Sequence, residues 1–512
     1  MSSQSSRRSA DPRGPATYAT ATWLFLRLLG VIYFIAFGSL AVQVVGLVGH
    51  EGILPARLYM DGARAFVASE GIGVDRYRLL PTLGWISTGD ALLRASCYAG
   101  AALSILLVVG VAPVLVLAML WFDYLSLSIV CREFLSYQWD ALLLEAGLIA
   151  VFLASPVWRE RPVDRADPPP IVRWLMTWLM FRLMVGSGAV KLASGDPTWR
   201  GLTAMTFHYE TQPIPTPLAW YAHQLPVWFQ KVSTGAVLTI ELIAPWFVLG
   251  PRRLRVIAFV LLASLQCLVA LTGNYAFFNV LSVALCVFLL DDRVFEDLMP
   301  QVARPFQGRD KAGLKGPPHL KGPPHLKGPR HAERLRHISS VTFAIVTVPV
   351  SLLMFTGSIG LALPLPFAGE VADITSPFRS VNSYGLFAVM TTTRDEIVVE
   401  GSNDGERWQP YEFPFKPGDV NRRPPWVAPH QPRLDWQMWF AALASYADAP
   451  WFRNFCVRLL EGSPDVVALM ARNPFPDAPP KYIRAVLYRY HFGKTTWWTR
   501  ERIGEYSPAM SR

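Results

Sequence analysis

Residues 91–131 read ALLRASCYAGAALSILLVVGVAPVLVLAMLWFDYLSLSIVC, and the charged side chains among them are Arg94 and Asp123 alone. The stretch divides into two apolar runs, 91–110 and 111–131. Each is about as long as a helix needs to cross roughly 30 Å of hydrocarbon. Comparable runs occupy 22–48, 138–155, 171–192, 230–249, 254–272, 273–290 and 338–364, which makes nine candidate transmembrane helices. Composition points the same way, since 52% of the 512 residues are hydrophobic and 17% charged, against about a quarter charged in soluble domains. The 18 Trp, 17 Tyr and 29 Phe, with no glycine period, exclude collagen-like, coiled-coil and wholly disordered chains.

The formal net charge is +10, but the excess lies mostly in loops between apolar runs. There it sets orientation in a membrane and does not point to nucleic acid. Arg7, Arg8 and Arg13 precede the first run; Arg159, Arg161 and Arg165 follow the fourth; Arg252, Arg253 and Arg255 follow the sixth. These segments and the basic stretch 291–337 are expected on the cytoplasmic side, with 49–90 and 193–229 on the other. The expected fold is a polytopic α-helical membrane protein with about nine transmembrane helices and a C-terminal extracytoplasmic β-rich mixed domain. Its parts are a cytoplasmic tail 1–21, helices one to eight over 22–290, a cytoplasmic loop 291–337, a ninth helix over 338–364 and the outer domain 365–512. The first run outlasts a signal-peptide core and is read as a retained span. Five cysteines without a CxxC pair imply no disulfide framework.

Within the basic loop, KGPPHL stands at 315–320 and 321–326, followed by KGPRHA at 327–332. His319, His325, His331 and His337 then recur every six residues, but Pro and Gly at this density argue for a disordered linker over a metal site. Beyond the last run the period changes. Tyr384–Thr392, Glu396–Gly401 and Trp408–Phe413 read as strands of a β-meander, with a turn at Asn403-Asp404-Gly405. Lys481–Phe492 reads as a further strand, and Trp451–Leu460 and Pro464–Arg472 as helices.

Charges inside lipid require partners or a water-filled cavity. Asp123, Asp140, Glu145, Arg182 and Glu241 form a candidate intramembrane polar network, most simply with Arg182 paired to an acid. No GxSxG, HExxH or P-loop is present. The outer end of the fifth run is followed by Asp196, Pro197 and Trp199, then His208, Tyr209 and Glu210. Lys191 beside an apolar wall is a candidate base, with Glu210 or His208 as charge partner. The competing reading is a lysine reaching the headgroups beside a tryptophan belt. In the tail, Arg422, Arg423 and Trp426, with Arg433, Trp436 and Trp439, form a candidate surface for a folding client, because Trp and Arg dominate binding hot spots. Alternatively Trp436 and Trp439 pack the domain onto its own membrane helices.

The stretches VNSYGLFAVMTTTRDEIVVEGSNDGERW, KPGDVNRRPPWVAPHQPRLDWQMWFAAL and NPFPDAPPKYIRAVLYRYHF closely resemble the lipase maturation factor family. CREFLSYQWDALLLEAG and RLMVGSGAVKLASGDPTWRGLTAMTFHYETQPIP resemble it too, so the likeness covers most of residues 22–512 and leaves out the KGPPHL repeats. The resemblance implies a multi-pass membrane protein needed for homodimeric lipases to reach their active state. It would sit in the endoplasmic reticulum membrane of a eukaryote or the inner membrane of a bacterium. A client lipase or other secreted protein and membrane lipids are the implied partners; no cofactor, metal or nucleic acid is expected. Lys191, Leu192, Asp196, Pro197 and Trp199 are also similar to the region around the catalytic lysine of vitamin K-dependent gamma-glutamyl carboxylase. That likeness implies an alternative, a membrane enzyme acting at the outer ends of helices four to six.

Overall fold

The computed structural model describes residues 16–161, 165–298, 330–361, 363–364 and 366–512. Both KGPPHL units lie outside these residues. All nine apolar runs contain helix: α1 Ala19–Ala41, α2 Asp90–Val109, α3 Pro113–Cys131, α4 Gln138–Leu153, α5 Pro170–Ala193, α6 Val227–Ile243, α7 Arg252–Thr272, α8 Phe278–Cys286 and α9 Arg330–Ser358. Among the described residues, seven are long and apolar enough to cross a membrane. The other two are shorter: α4 has 16 residues, and α8 with the turn that follows spans Phe278–Leu289. At 1.5 Å per residue they reach about 24 and 18 Å. Both lie within the bundle, where Leu142 and Leu143 of α4 and Leu281 and Leu285 of α8 have no exposed surface. Helices surrounded by protein need not match the hydrocarbon thickness.

The stretch 91–131 shows how sequence makes this bundle. α2 ends at Gly110, whose φ of 80° is left-handed and whose N–H reaches the carbonyls of Leu106 and Leu107. Pro113 then occupies the first turn of α3, where its missing N–H costs nothing. A three-residue turn therefore reverses the chain. On α2, a Cβ at Gly100 would collide with the Phe37 ring, so a glycine there allows α1 to approach closely.

The helix ends sort into two groups. At one end Asp292 accepts the N–H groups of Ala19 and Thr20, Arg27 pairs with Glu160 at 2.7 Å, and Arg252 and Arg255 both reach Asp291. Arg336 donates to the Leu153 carbonyl there. The opposite end gathers the C-terminus of α1, the α3–α4 and α5–α6 connections, the start of α8 and the whole C-terminal domain. The start of α1 and that domain thus lie at opposite ends.

The C-terminal domain has a four-stranded antiparallel sheet in the order β2-β1-β3-β4, with β1 Arg394–Ser402, β2 Gln409–Pro410, β3 Tyr482–Phe492 and β4 Trp498–Ser511. β1 pairs with β3 from Arg394↔Tyr490 to Ser402↔Tyr482. Two helices cover it, α10 Arg433–Ala442 and α11 Pro450–Glu461. α11 buries Phe452, Phe455, Cys456 and Leu459 on one stripe and stops at Gly462, left-handed at φ 72°.

Several expectations change. The sheet is not a meander, because β1 and β3 become neighbours across some 80 residues of intervening chain. Trp408–Phe413 shortens to the two-residue β2, Pro464–Arg472 is helical only over Pro464–Val467, and β4 was not anticipated. Tyr384–Thr392 is not a strand. Its backbone is engaged by membrane-domain side chains: Gln138 accepts the Gly385 N–H, Trp199 donates to the Phe387 carbonyl, and Asp196 accepts the Met390 N–H at 2.6 Å. Phe387 is left-handed at φ 55°, which breaks extended geometry.

Candidate functional site

The residues that carry charge at the domain junction form separate pairs. On α5, Arg182 is paired with Glu145 of α4, and the same carboxylate accepts the Asn382 N–H at 2.9 Å and the Tyr384 hydroxyl at 2.7 Å. The segment leading into the C-terminal domain is thereby tied to the bundle interior. Asp140, in the first turn of α4, receives Arg433 of α10 at 2.9 Å and the Tyr124 hydroxyl at 2.6 Å. Both side chains of the Arg433–Asp140 pair are wholly buried. Such a pair gains little net stability over apolar packing, but removing one partner strands the other.

Lys191 donates to both oxygens of Glu241 on α6, at 2.8 and 2.7 Å, with its ammonium 5.1 Å from the centre of the Trp199 ring. It is 3% exposed. Of the expected partners, Glu210 is engaged elsewhere, and His208 feels the Lys191 charge without bonding to it. Glu210 accepts the Phe492 N–H at 2.8 Å and contacts His491 at 3.0 Å and His223 at 3.6 Å. Burial lowers the His223 pKa, and Glu210 opposes that shift. His208 is buried with its Nδ1 unpartnered among the described residues, and its Nε2 is 3.5 Å from the Tyr275 hydroxyl. Burial, and next the Lys191 charge, push its pKa down to about 4. Lys191, Glu210, Asp140 and Glu145 thus enter four different pairings. Asp123 is buried with one oxygen unpartnered among the described residues.

Residues not singled out from the sequence complete the junction. Arg394, at the start of β1, donates to the carbonyls of Glu210, Gln212 and Pro213 and pairs with Glu396 at 2.7 Å. It closes the exposed C-terminal carbonyls of the Met205–Thr211 helix. Asn274 donates to the Ile214 and Pro425 carbonyls and accepts the N–H groups of Val427 and Ala428. Gln43 accepts the Arg433 N–H and donates to the Gln431 carbonyl. Asn274 interrupts an apolar run, a signal in the sequence that a polar partner waits nearby.

The six candidate contact residues divide. Arg433, Trp436 and Trp439 were expected on a free surface, and all three are buried. Trp439 donates to the Thr211 carbonyl at 2.9 Å, and Trp436 packs on Tyr137, Trp139 and Tyr275. This is the alternative packing onto the membrane domain. Arg422 turns inward to the carbonyls of Phe413 and Lys416. Arg423 and Trp426 face outward, Trp426 at 54% exposure, across the stiff Pro424-Pro425 step. Arg423 stands 5.6 Å over Trp497, whose ring lies 5.5 Å from Trp220 in the α5–α6 connection. Trp220 touches the exposed Tyr221. A surface of Arg, Trp and Tyr therefore crosses from the C-terminal domain to the membrane domain. Among the described residues, no group of His, Cys, Asp and Glu is arranged to hold a metal ion.

Comparison with known proteins matches residues 20–297 to the lipase maturation factor transmembrane domain and residues 380–508 to the lipase maturation factor C-terminal domain. The chain is 38% identical to lipase maturation factor 2 of Gallus gallus, over 95% of this chain and 81% of that protein. It is 36% identical to lipase maturation factor 2 of Homo sapiens, over 95% and 82%. With lipase maturation factor 1 of Bos taurus the identity is 34%, over 97% of this chain and 91% of the other. No solved structure matches.

Proposed function

This chain belongs to the lipase maturation factor family, and from that premise we infer that it is an integral membrane protein that assists lipases to their active state by binding them as clients. The observation that carries the contact site is the run of Arg423, Trp497, Trp220 and Tyr221 from one domain to the other, with the exposed Trp426 three residues beyond Arg423, the side-chain types that dominate binding hot spots. The buried ties at Asp140, Glu145, Glu210 and Asn274 support a rigid platform, so a client meets both domains as one body. The loop charges support a cytoplasmic N-terminus and an extracytoplasmic C-terminal domain, the side on which a secreted client folds.

The carboxylase-like alternative is not favoured. A catalytic lysine must present its Nζ to a substrate, and the Lys191 Nζ is buried and donates to both oxygens of Glu241. The test is complementation: cells lacking their own maturation factor express a secreted lipase with this protein, and active lipase in the medium is measured. Arg423→Ala/Trp426→Ala is expected to lower it at least about tenfold at unchanged membrane accumulation, because two hot-spot truncations exceed 1.4 kcal/mol. Full lipase activation by that variant refutes the assigned surface.

A further inference from the structure

The connection between α1 and α2 carries an exposed apolar surface apart from the client site. Its helix Ala56–Ser69 has three sides. At about 100° per residue, Ala56, Met60 and Ala63 face the protein, and Arg57, Asp61 and Arg64 form a polar edge. Leu58, Ala65 and Phe66 share the remaining side and are exposed, Phe66 by 58%. Further along the connection, Val74 and Ile86 are exposed by 83% and 80%.

The two neighbouring spans fix how deep this connection lies. The 19 residues of α3 cover about 28 Å, close to the roughly 30 Å of hydrocarbon, so its end at Cys131 marks one membrane surface. Thr82 donates to the Ser126 carbonyl at 3.1 Å, and the Leu83 N–H to the Ser126 hydroxyl at 2.7 Å. Ser126 lies about 7 Å inside that end of α3. On α2, Ser96 lies about 9 Å inside the start at Asp90 and lines one small cavity with Leu83, Gly84 and Ser87. Gly84 also seats the helix: its carbonyl accepts from Arg64 at 3.0 Å, and a Cβ there would press on Met60 and Val130. The N–H groups of Thr82, Leu83, Gly84, Ile86 and Ser87 all find acceptors within the protein, and the Trp85 indole donates to the Leu80 carbonyl. Irregular backbone at hydrocarbon depth requires such partners, because no water is there to supply them. A loop that waits in water for a client does not.

We propose that residues 56–86 are an in-plane membrane element: Leu58, Phe66, Val74 and Ile86 enter the acyl region of the leaflet on the C-terminal domain's side, and Arg57 and Arg64 stay at its headgroups. Residues 49–90 hold four arginines against five acids, which gives anionic headgroups no advantage over zwitterionic ones.

The experiment places the full chain in phosphatidylcholine nanodiscs. Cys267→Ala removes the exposed thiol, and the other four cysteines are buried. A nitroxide is then attached in turn to Phe66→Cys, Ile86→Cys and, on the polar edge, Ala68→Cys. Oxygen gathers in hydrocarbon and a nickel chelate in water, so the ratio of their collision rates with the nitroxide reads depth. At 66 and 86 it is expected at least about fivefold above that at 68, as insertion by 5–10 Å implies. Gel filtration checks that each variant is folded; Leu58→Cys replaces the first and Val74→Cys the second if either fails. Equal ratios on the apolar side and at 68 overturn the proposal. Nickel protection that appears only when a lipase is added also overturns it, and makes this face a client surface instead.

Discussion

Arg433 and Asp140 meet across 293 residues of chain, the guanidinium Nη2 donating to a carboxylate oxygen at 2.9 Å with neither side chain exposed. One belongs to the C-terminal domain and the other to the membrane bundle. Arg433→Met leaves Asp140 buried and unpaired, and Asp140→Asn leaves the reverse. Each is expected to cost about 3–5 kcal/mol, and Arg433→Met/Asp140→Leu should recover most of it. The protein carries its own reporter: Cys97, Cys131, Cys286 and Cys456 are buried, so a thiol-reactive dye reads their exposure on heating. Singles as stable as the parent would show that the pair holds nothing.

Lys191 and Glu241 behave by the same physics, which separates structure from chemistry. Lys191→Met should lower thermal stability, and Lys191→Met/Glu241→Leu should restore both stability and lipase maturation. A restored fold without restored maturation would return the lysine to a chemical role.

The helices were legible because each run is apolar and stops at charge or at Gly and Pro, and the basic loops gather at one end of the bundle. Long-range pairing was not. Nothing local marks Arg433 as the partner of Asp140, and a Trp-rich amphipathic helix reads equally as a free surface or as packing. Tyr384–Thr392 carries strand-forming residues, yet Asp196, Trp199 and Gln138 supply its hydrogen-bond partners from elsewhere in the chain. Arg394 likewise acts on carbonyls that no sequence pattern exposes.

His208 gives a pH dependence with a definite sign. Its pKa is lowered to about 4 in the fold, against about 6.5 in an unfolded chain. Between these values the unfolded state binds more protons, so the contribution is complete above pH 6.5 and is lost as pH falls toward 4. From pH 7 to pH 5 the loss is roughly 2 kcal/mol. His208→Gln should flatten that part of the profile, read by tryptophan fluorescence during unfolding. An identical slope in parent and variant would remove His208 from the account.

Orientation is open to direct mapping with reporters fused after 12, 165, 310 and 512. The first three should report the cytoplasm and the last the other side. Cytoplasmic signal at 512 would place the client surface on the wrong side for a secreted lipase.

Site-specific photo-crosslinking in co-expressing cells reads whether a client lipase docks on the Arg423–Trp426 surface. A photoreactive residue replaces Trp426, and a control replaces Ile338, exposed on α9 near the opposite end of the bundle. A lipase adduct is expected from position 426 and none from 338. No adduct at 426, or equal adducts at both, would contradict it.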